Sequence, residues 1–171
     1  ILQSDNQCNN NYRDAFYGKI KNITIESNKG NEFDTIDITM KRPLAKFEIV
    51  ANDLSTFMGI DSYSFDNNDI TNYTGFMPSA YSLFTGKPVD SSVGIVVESS
   101  LHIFNEDSAS FGFDYVFTSE DVSSVTIRVG VYDSEGNQVS LTNAIKVPLK
   151  ASHHTILSGN FLMQNASGGI D

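Results

Sequence analysis

Apolar and polar residues alternate with a period of two through most of this chain, and the phase changes once inside its most regular stretch. From Ile36 to Asp53 (IDITMKRPLAKFEIVAND), Ile36, Ile38 and Met40 hold even positions between polar neighbours. Ala45, Phe47, Ile49 and Ala51 then hold odd ones, alternating with Leu44, Lys46, Glu48 and Val50. Period two marks a strand with one buried face. A change of phase needs one extra residue, and it falls at Arg42-Pro43. Proline cannot donate to a ladder, so it belongs at an edge, a strand start or a bulge. The spacing predicts two strand segments, or one long strand broken by a structural bulge, meeting at Arg42 and Pro43.

The rest of the chain follows the same grammar. Phe16–Glu26 reads as a first strand with Ile23 and Ile25 facing inward, followed by a turn at Ser27–Asn31. Asn52–Tyr73 sustains no period and reads as a long loop, with Leu54, Phe57 and Met58 able to form a helical turn at its start. Thr74–Val89 reads as a short strand ending in a turn at Gly86-Lys87-Pro88. Val93, Ile95, Val97, Leu101 and Ile103 form the core face of one long strand, and Asn105–Ser110 is a polar turn. Phe111, Phe113, Tyr115 and Phe117 put four aromatics on one side of the next strand, and Val125, Ile127, Val129 and Val131 line the one after. Asp133–Asn137 is a hairpin turn, Val139–Leu149 returns antiparallel, and Thr155–Met163 is the last strand.

About seven or more strands without a sustained helix predict an all-β fold, an antiparallel Greek-key β-sandwich in which each sheet keeps one wet face. A chain of 171 residues forms one domain, expected over 14–171. Residues 1–13, rich in Asn, Gln and Asp, read as a flexible N-terminal segment.

Charge narrows the partners. Lys and Arg number 11 against 21 Asp and Glu, a formal net charge of −10, which repels phosphate backbones and argues against nucleic acid. No apolar run approaches the roughly 20 residues that span a bilayer. Cys8 is the single cysteine, so it reads as an incidental thiol, an intermolecular bridge being the minority alternative. Ile1 opens a polar segment with no signal peptide, so an exported chain would already be trimmed.

Catalytic chemistry is not visible. No Gly-x-Ser-x-Gly elbow occurs, and His153-His154 are neighbours whose side chains point apart on an extended chain, a poor zinc pair. Asp61, Asp66 and Asp69 with Asn67 and Asn68 offer hard oxygens for calcium at a spacing that fits no regular loop. Asn22, Asn72 and Asn165 open Asn-x-Ser/Thr triplets, the first inside an expected strand. The aromatic stripe from Phe111 to Phe117 reads as core in preference to a sugar-stacking platform. No enzyme, no cofactor and no metal site is expected.

Four segments carry a family resemblance. Lys41-Arg42-Pro43-Leu44-Ala45-Lys46-Phe47 resembles the Arg-Pro-x-Ala-Lys/Gln signature of the fimbrillin-like proteins of Bacteroidales. Asn143–Met163 (NAIKVPLKASHHTILSGNFLM) is similar to the closing segment of that domain, although His153-His154 stand where the family has a polar or basic pair. Ser79–Val89 and Asp14–Gly18 are similar to intervening motifs in the same order. The resemblance implies a transthyretin-like sandwich, exported as a lipoprotein to the outer membrane and held there by a lipid anchor outside this chain. Its implied partners are other fimbrial subunits, joined by strand addition after proteolysis at an arginine, and host or bacterial surface ligands. Arg13, ahead of the first expected strand, is the processing candidate; Arg42 is structural. Relatives often continue upstream and downstream, which implies an incomplete or processed chain. The rival reading is a carbohydrate-binding sandwich module with exposed aromatics, and a hydrolase would require convergent carboxylates.

Overall fold

The computed structural model describes residues 9–24, 35–58, 70–100, 102–132 and 135–163. The first strand, β1 (Leu44–Ala51), is the second half of the stretch that dominates the sequence. Ala45, Phe47, Ile49 and Ala51 are all at most 1% exposed. A short helix, α1 (Leu54–Met58), follows where a helical turn was expected. Then come β2 (Ile70–Ser82), β3 (Lys87–Ser100), β4 (His102–Ile103), β5 (Ala109–Phe117), β6 (Ser123–Tyr132), β7 (Gln138–Leu141), β8 (Ile145–Leu149) and β9 (His154–Gly159).

Two sheets result. One has the order β4-β5-β1-β9, and the other β3-β2-β6-β7, with β8 continuing beside β6 where β7 ends. The chain crosses between sheets after β1, β3, β5 and β8, so β5 comes back to lie beside β1, the long return of a Greek key. The fold is an all-β sandwich. Its main core lies between the sheets, where Phe47 and Ile49 meet Val125, Ile127, Val129 and Val131 of β6 and Val147 and Leu149 of β8. Alternation dictates this, because each inward row is apolar while Thr126 and Arg128 between them face water.

Several expectations are corrected. Residues 16–24 and 35–40 form no strand; they run as an open ribbon held at one antiparallel bridge, Tyr17 to Lys41. Ile23, Ile36, Ile38 and Met40 are about half exposed. Arg42-Pro43 is therefore not a bulge but the point where the ribbon enters β1. Pro43 is tolerated there because its carbonyl, which accepts from the Thr118 amide at 3.0 Å, is what the position needs.

The bulge lies elsewhere. Ile49 pairs with Gly112 and Val50 with Ser110, so Phe111 is the extra residue, and Gly112 absorbs the distortion at φ +113. This splits the aromatic stripe. Phe111 enters the main core, while Tyr115 and Phe117 join Leu44 and Tyr81 in a second cluster, with Phe113 against it.

Among the described residues one pairing is parallel: β9 runs beside β1 from Lys46–His154 to Ala51–Gly159. Strand β2 starts inside the expected loop, the β2–β3 turn is Leu83–Gly86, and Lys87-Pro88 already belong to β3. The expected single strand through Ile103 changes sheets after Ser100, which leaves Ile103 half exposed in β4. The side chains of 93–99 lie outside the described residues, as do residues 25–31 and the aspartates of 61–69. The last strand stops at Gly159. Beyond it, buried Asp53 accepts from the amides of Leu162 (3.0 Å) and Met163 (2.8 Å) and pins that segment beside α1.

Candidate functional site

Residues 9–17 form a strap across the second aromatic cluster. Most of its polar residues, which promise little order by composition, find a distant partner. The Asn9 amide donates to the Phe113 carbonyl and the Phe113 amide to Asn9 Oδ1, both at 2.8 Å. Asn10 Oδ1 accepts from the Tyr12 amide at 2.9 Å and caps a 3-10 turn over Asn11–Arg13. Tyr115 donates its hydroxyl to Asn11 Oδ1 at 2.9 Å. Ala15 and Tyr17 then pack on the cluster of Leu44, Tyr81, Tyr115 and Phe117.

Two arginines clamp the strap. Arg13 donates from Nη1 to Asp114 Oδ1 at 2.7 Å, with the two side chains only 10% and 5% exposed. A protease reading Arg13 would first have to extract it, so the position is an anchor in this fold. Arg42 meets Asp14 with both Nε (2.6 Å) and Nη2 (2.5 Å), the fork geometry that guanidinium favours. Its guanidinium also lies 5.7 Å from the Phe16 ring and 5.4 Å from Tyr115. The bond to Asp14 raises its already high pKa, so its charge is fixed. Lys46, three residues past Pro43 on the outward side, puts its ammonium 3.8 Å from the Phe113 centroid. The Arg42–Phe47 motif thus locks strap to sheet and supplies core from the same few residues.

Beyond the strap, the ribbon shows two chemically distinct faces. Asp37, Thr39 and Lys41 line a groove of about 620 Å³, closed on its far side by the Leu83–Gly86 turn and completed by Tyr17, Lys19 and Lys21. Lys19 donates to the carbonyls of Leu83 and Phe84, both at 3.3 Å, and lies 5.5 Å from the Phe84 ring. Phe84 itself is 92% exposed. Lys41 pairs with Glu120 at 2.6 Å; the bond raises the lysine's pKa and lowers the glutamate's. The even positions Ile36, Ile38 and Met40 form the other row, and Met40 borders a neighbouring cavity of about 530 Å³ with Phe16, Arg42 and Lys150.

The remaining candidates scatter. His153 Nδ1 contacts the Ala151 carbonyl at 2.8 Å, while His154 Nε2 lies 3.4 Å from Glu48 Oε2, so the two rings serve separate partners. Glu48 also accepts from Ser110 Oγ at 3.0 Å. That row has serine, glutamate and histidine, but the acid sits in the middle and His154 does not reach the hydroxyl, so it cannot activate Ser110. Among the described residues no three His, Cys, Asp or Glu side chains gather as a metal site. Asn22 is exposed at φ +60, and Asn72 lies within β2. Cys8 and Asn165 lie outside the described residues. Tyr115, Phe117 and Phe111 are at most 5% exposed, which removes the stripe as a sugar platform. The groove itself was not anticipated, because its three walls are far apart in sequence and Phe84 alone, in a turn, would have hinted at it.

No helix among the described residues is long and apolar enough to cross a membrane. No curated protein matches the chain. One family model does, over residues 1–171, and the chain belongs to that family, a family of unknown function (DUF6562).

Proposed function

We propose that this protein is a non-catalytic assembly subunit, a fimbrillin-like module of the outer cell surface that joins its neighbours by strand addition. The observation that carries the reading is the row Ile36, Ile38 and Met40. These residues alternate as a strand does, yet they are 48%, 52% and 55% exposed and belong to no sheet. Among the described residues the ribbon's ladder contact is the bridge at Lys41. A sequence that spends alternating apolar residues on an exposed extended segment is suited to a second chain, which supplies main-chain hydrogen bonds and covers alternate side chains. Covering the exposed half of three such side chains is worth about 2–4 kcal/mol, before the backbone bonds are added. The Arg42–Phe47 signature and the order of the flanking motifs support the fimbrillin-like part of the reading.

Sedimentation velocity over a wide concentration range, with hydrogen exchange on the same samples, tests it. The intact chain should associate, and the amides of 35–40 should slow on association. Ile38→Lys and Met40→Lys should each abolish this, while Thr39→Lys, on the other face, should not. A wild-type chain that stays monomeric at every concentration, or associates equally well with Ile38→Lys, would overturn the proposal.

A further inference from the structure

The groove between the ribbon and the Leu83–Gly86 turn runs against the electrostatics of the whole chain. The protein carries −10, yet Lys19, Lys21 and Lys41 converge here with Asp37 as the acid in the lining. Lys41 is already matched to Glu120. Lys19 is held by neutral carbonyls, which position its ammonium without cancelling its charge. Tyr17, Thr39 and Thr85 bring hydroxyls to the same walls, and Phe84 stands at the rim with its ring 92% exposed. Fixed cations, several hydroxyls and one bare ring around about 620 Å³ are a built recognition surface of ordinary ligand size.

We propose that this groove binds a carboxylated monosaccharide or the acidic end of a glycan. The carboxylate meets Lys19 and Lys21, the sugar hydroxyls meet Tyr17, Thr39 and Thr85, and the C–H face of the ring lies on Phe84. A long polyanion is disfavoured by the chain's net charge of −10, which opposes binding beyond a short acidic group. A bare peptide carboxylate would leave the hydroxyls and the exposed ring without a role. The inference does not depend on strand addition, because the groove uses the odd face of the ribbon and assembly the even one.

The test is a titration of the isotope-labelled intact chain, followed by amide shifts, with glucuronic acid, N-acetylneuraminic acid, galactose and an N-acetylated dipeptide with a free carboxylate. At least one acidic sugar should give saturable shifts at Lys19, Lys21 and Phe84, at least tenfold tighter than galactose and the dipeptide, and weaker at high salt. The Lys19→Ala/Lys21→Ala double variant and Phe84→Ala should each weaken it about tenfold, and Lys146→Ala, exposed on β8, should leave it unchanged. Absence of saturable shifts, equal binding of galactose or of the dipeptide, or equal loss in Lys146→Ala would overturn the proposal. Sedimentation of the same samples keeps the two readings apart: a chain that binds the sugar but never associates would defeat only the assembly subunit.

Discussion

Replacing Arg13 by methionine isolates what the strap contributes. Methionine keeps the apolar stem and removes the guanidinium from Asp114, whose side chain is 5% exposed and whose Oδ1 also accepts from the Tyr115 amide at 2.7 Å. Stripping one partner from a buried ion pair costs about 3–5 kcal/mol, because the remaining charge is left without compensation. Added apolar burial returns about 1 kcal/mol, so the expected net loss is about 2–4 kcal/mol. In a domain of this size that lowers the melting temperature by roughly 5–15 °C.

The strap can also peel away and let water reach Asp114, which caps the loss at the strap's own docking free energy. The two cases separate in hydrogen exchange: peeling speeds the Asn9 and Phe113 amides, which bond each other's residues, and leaves the Ile127 amide slow. Urea unfolding of Arg13→Met, Asp114→Asn and the double variant closes a cycle, with an expected coupling above about 1 kcal/mol. Limited trypsin digestion of the intact chain should cut after exposed Lys19 and Lys21 before it cuts after Arg13. A cost within 0.5 kcal/mol, judged against the ~0.5 kcal/mol scatter of ordinary surface substitutions, together with unchanged exchange at Asn9 and Phe113, would refute the anchoring role.

Two further outcomes follow from buried polar groups. Burial first, then the Tyr17 hydroxyl at 3.3 Å, raises the Tyr81 pKa above its ordinary 10. Stability should therefore be level below about pH 10 and fall above it as the unfolded chain ionises first. Tyr81→Phe should flatten that fall in urea titrations between pH 9 and pH 11, and an unchanged slope would show the phenol is not the cause. Asp53→Ala removes the acceptor for the Leu162 and Met163 amides and should cost about 2–3 kcal/mol, with faster exchange at those two amides as its local mark.

Local pattern was a good guide wherever burial follows alternation within one strand. Strand β1, the inward row of β6 and the helical turn at Leu54 were legible because each depends on residues a few positions apart. The change of phase at Arg42-Pro43 was real, but its cause is a ribbon giving way to a strand, and two exposed extended segments carry the same period as a buried one. The true bulge was hidden by its own chemistry: Phe111 and Phe113 look alike, and only Gly112 between them marks the inserted residue. Residues 9–13 of the strap read as flexible because Asn and Arg score as solvent-loving, and nothing in their neighbourhood reveals an acid 101 positions away. The groove is assembled from three separate walls, so Lys19, Lys21, Lys41 and Phe84 share one lining only in the folded chain.

The distances along the chain between paired groups have a consequence for how the protein comes into being. Asn9 waits for Phe113, 104 residues on, and Asp53 for Leu162, 109 residues on. Strand β1, made early, gains its parallel neighbour only when His154–Gly159 has been synthesised. Closing loops of that length is slow, so these contacts form only after the hundred or so intervening residues have been made. Truncation a few residues before Leu162 should therefore leave Asp53 without the two amides that satisfy it and loosen the contact around α1.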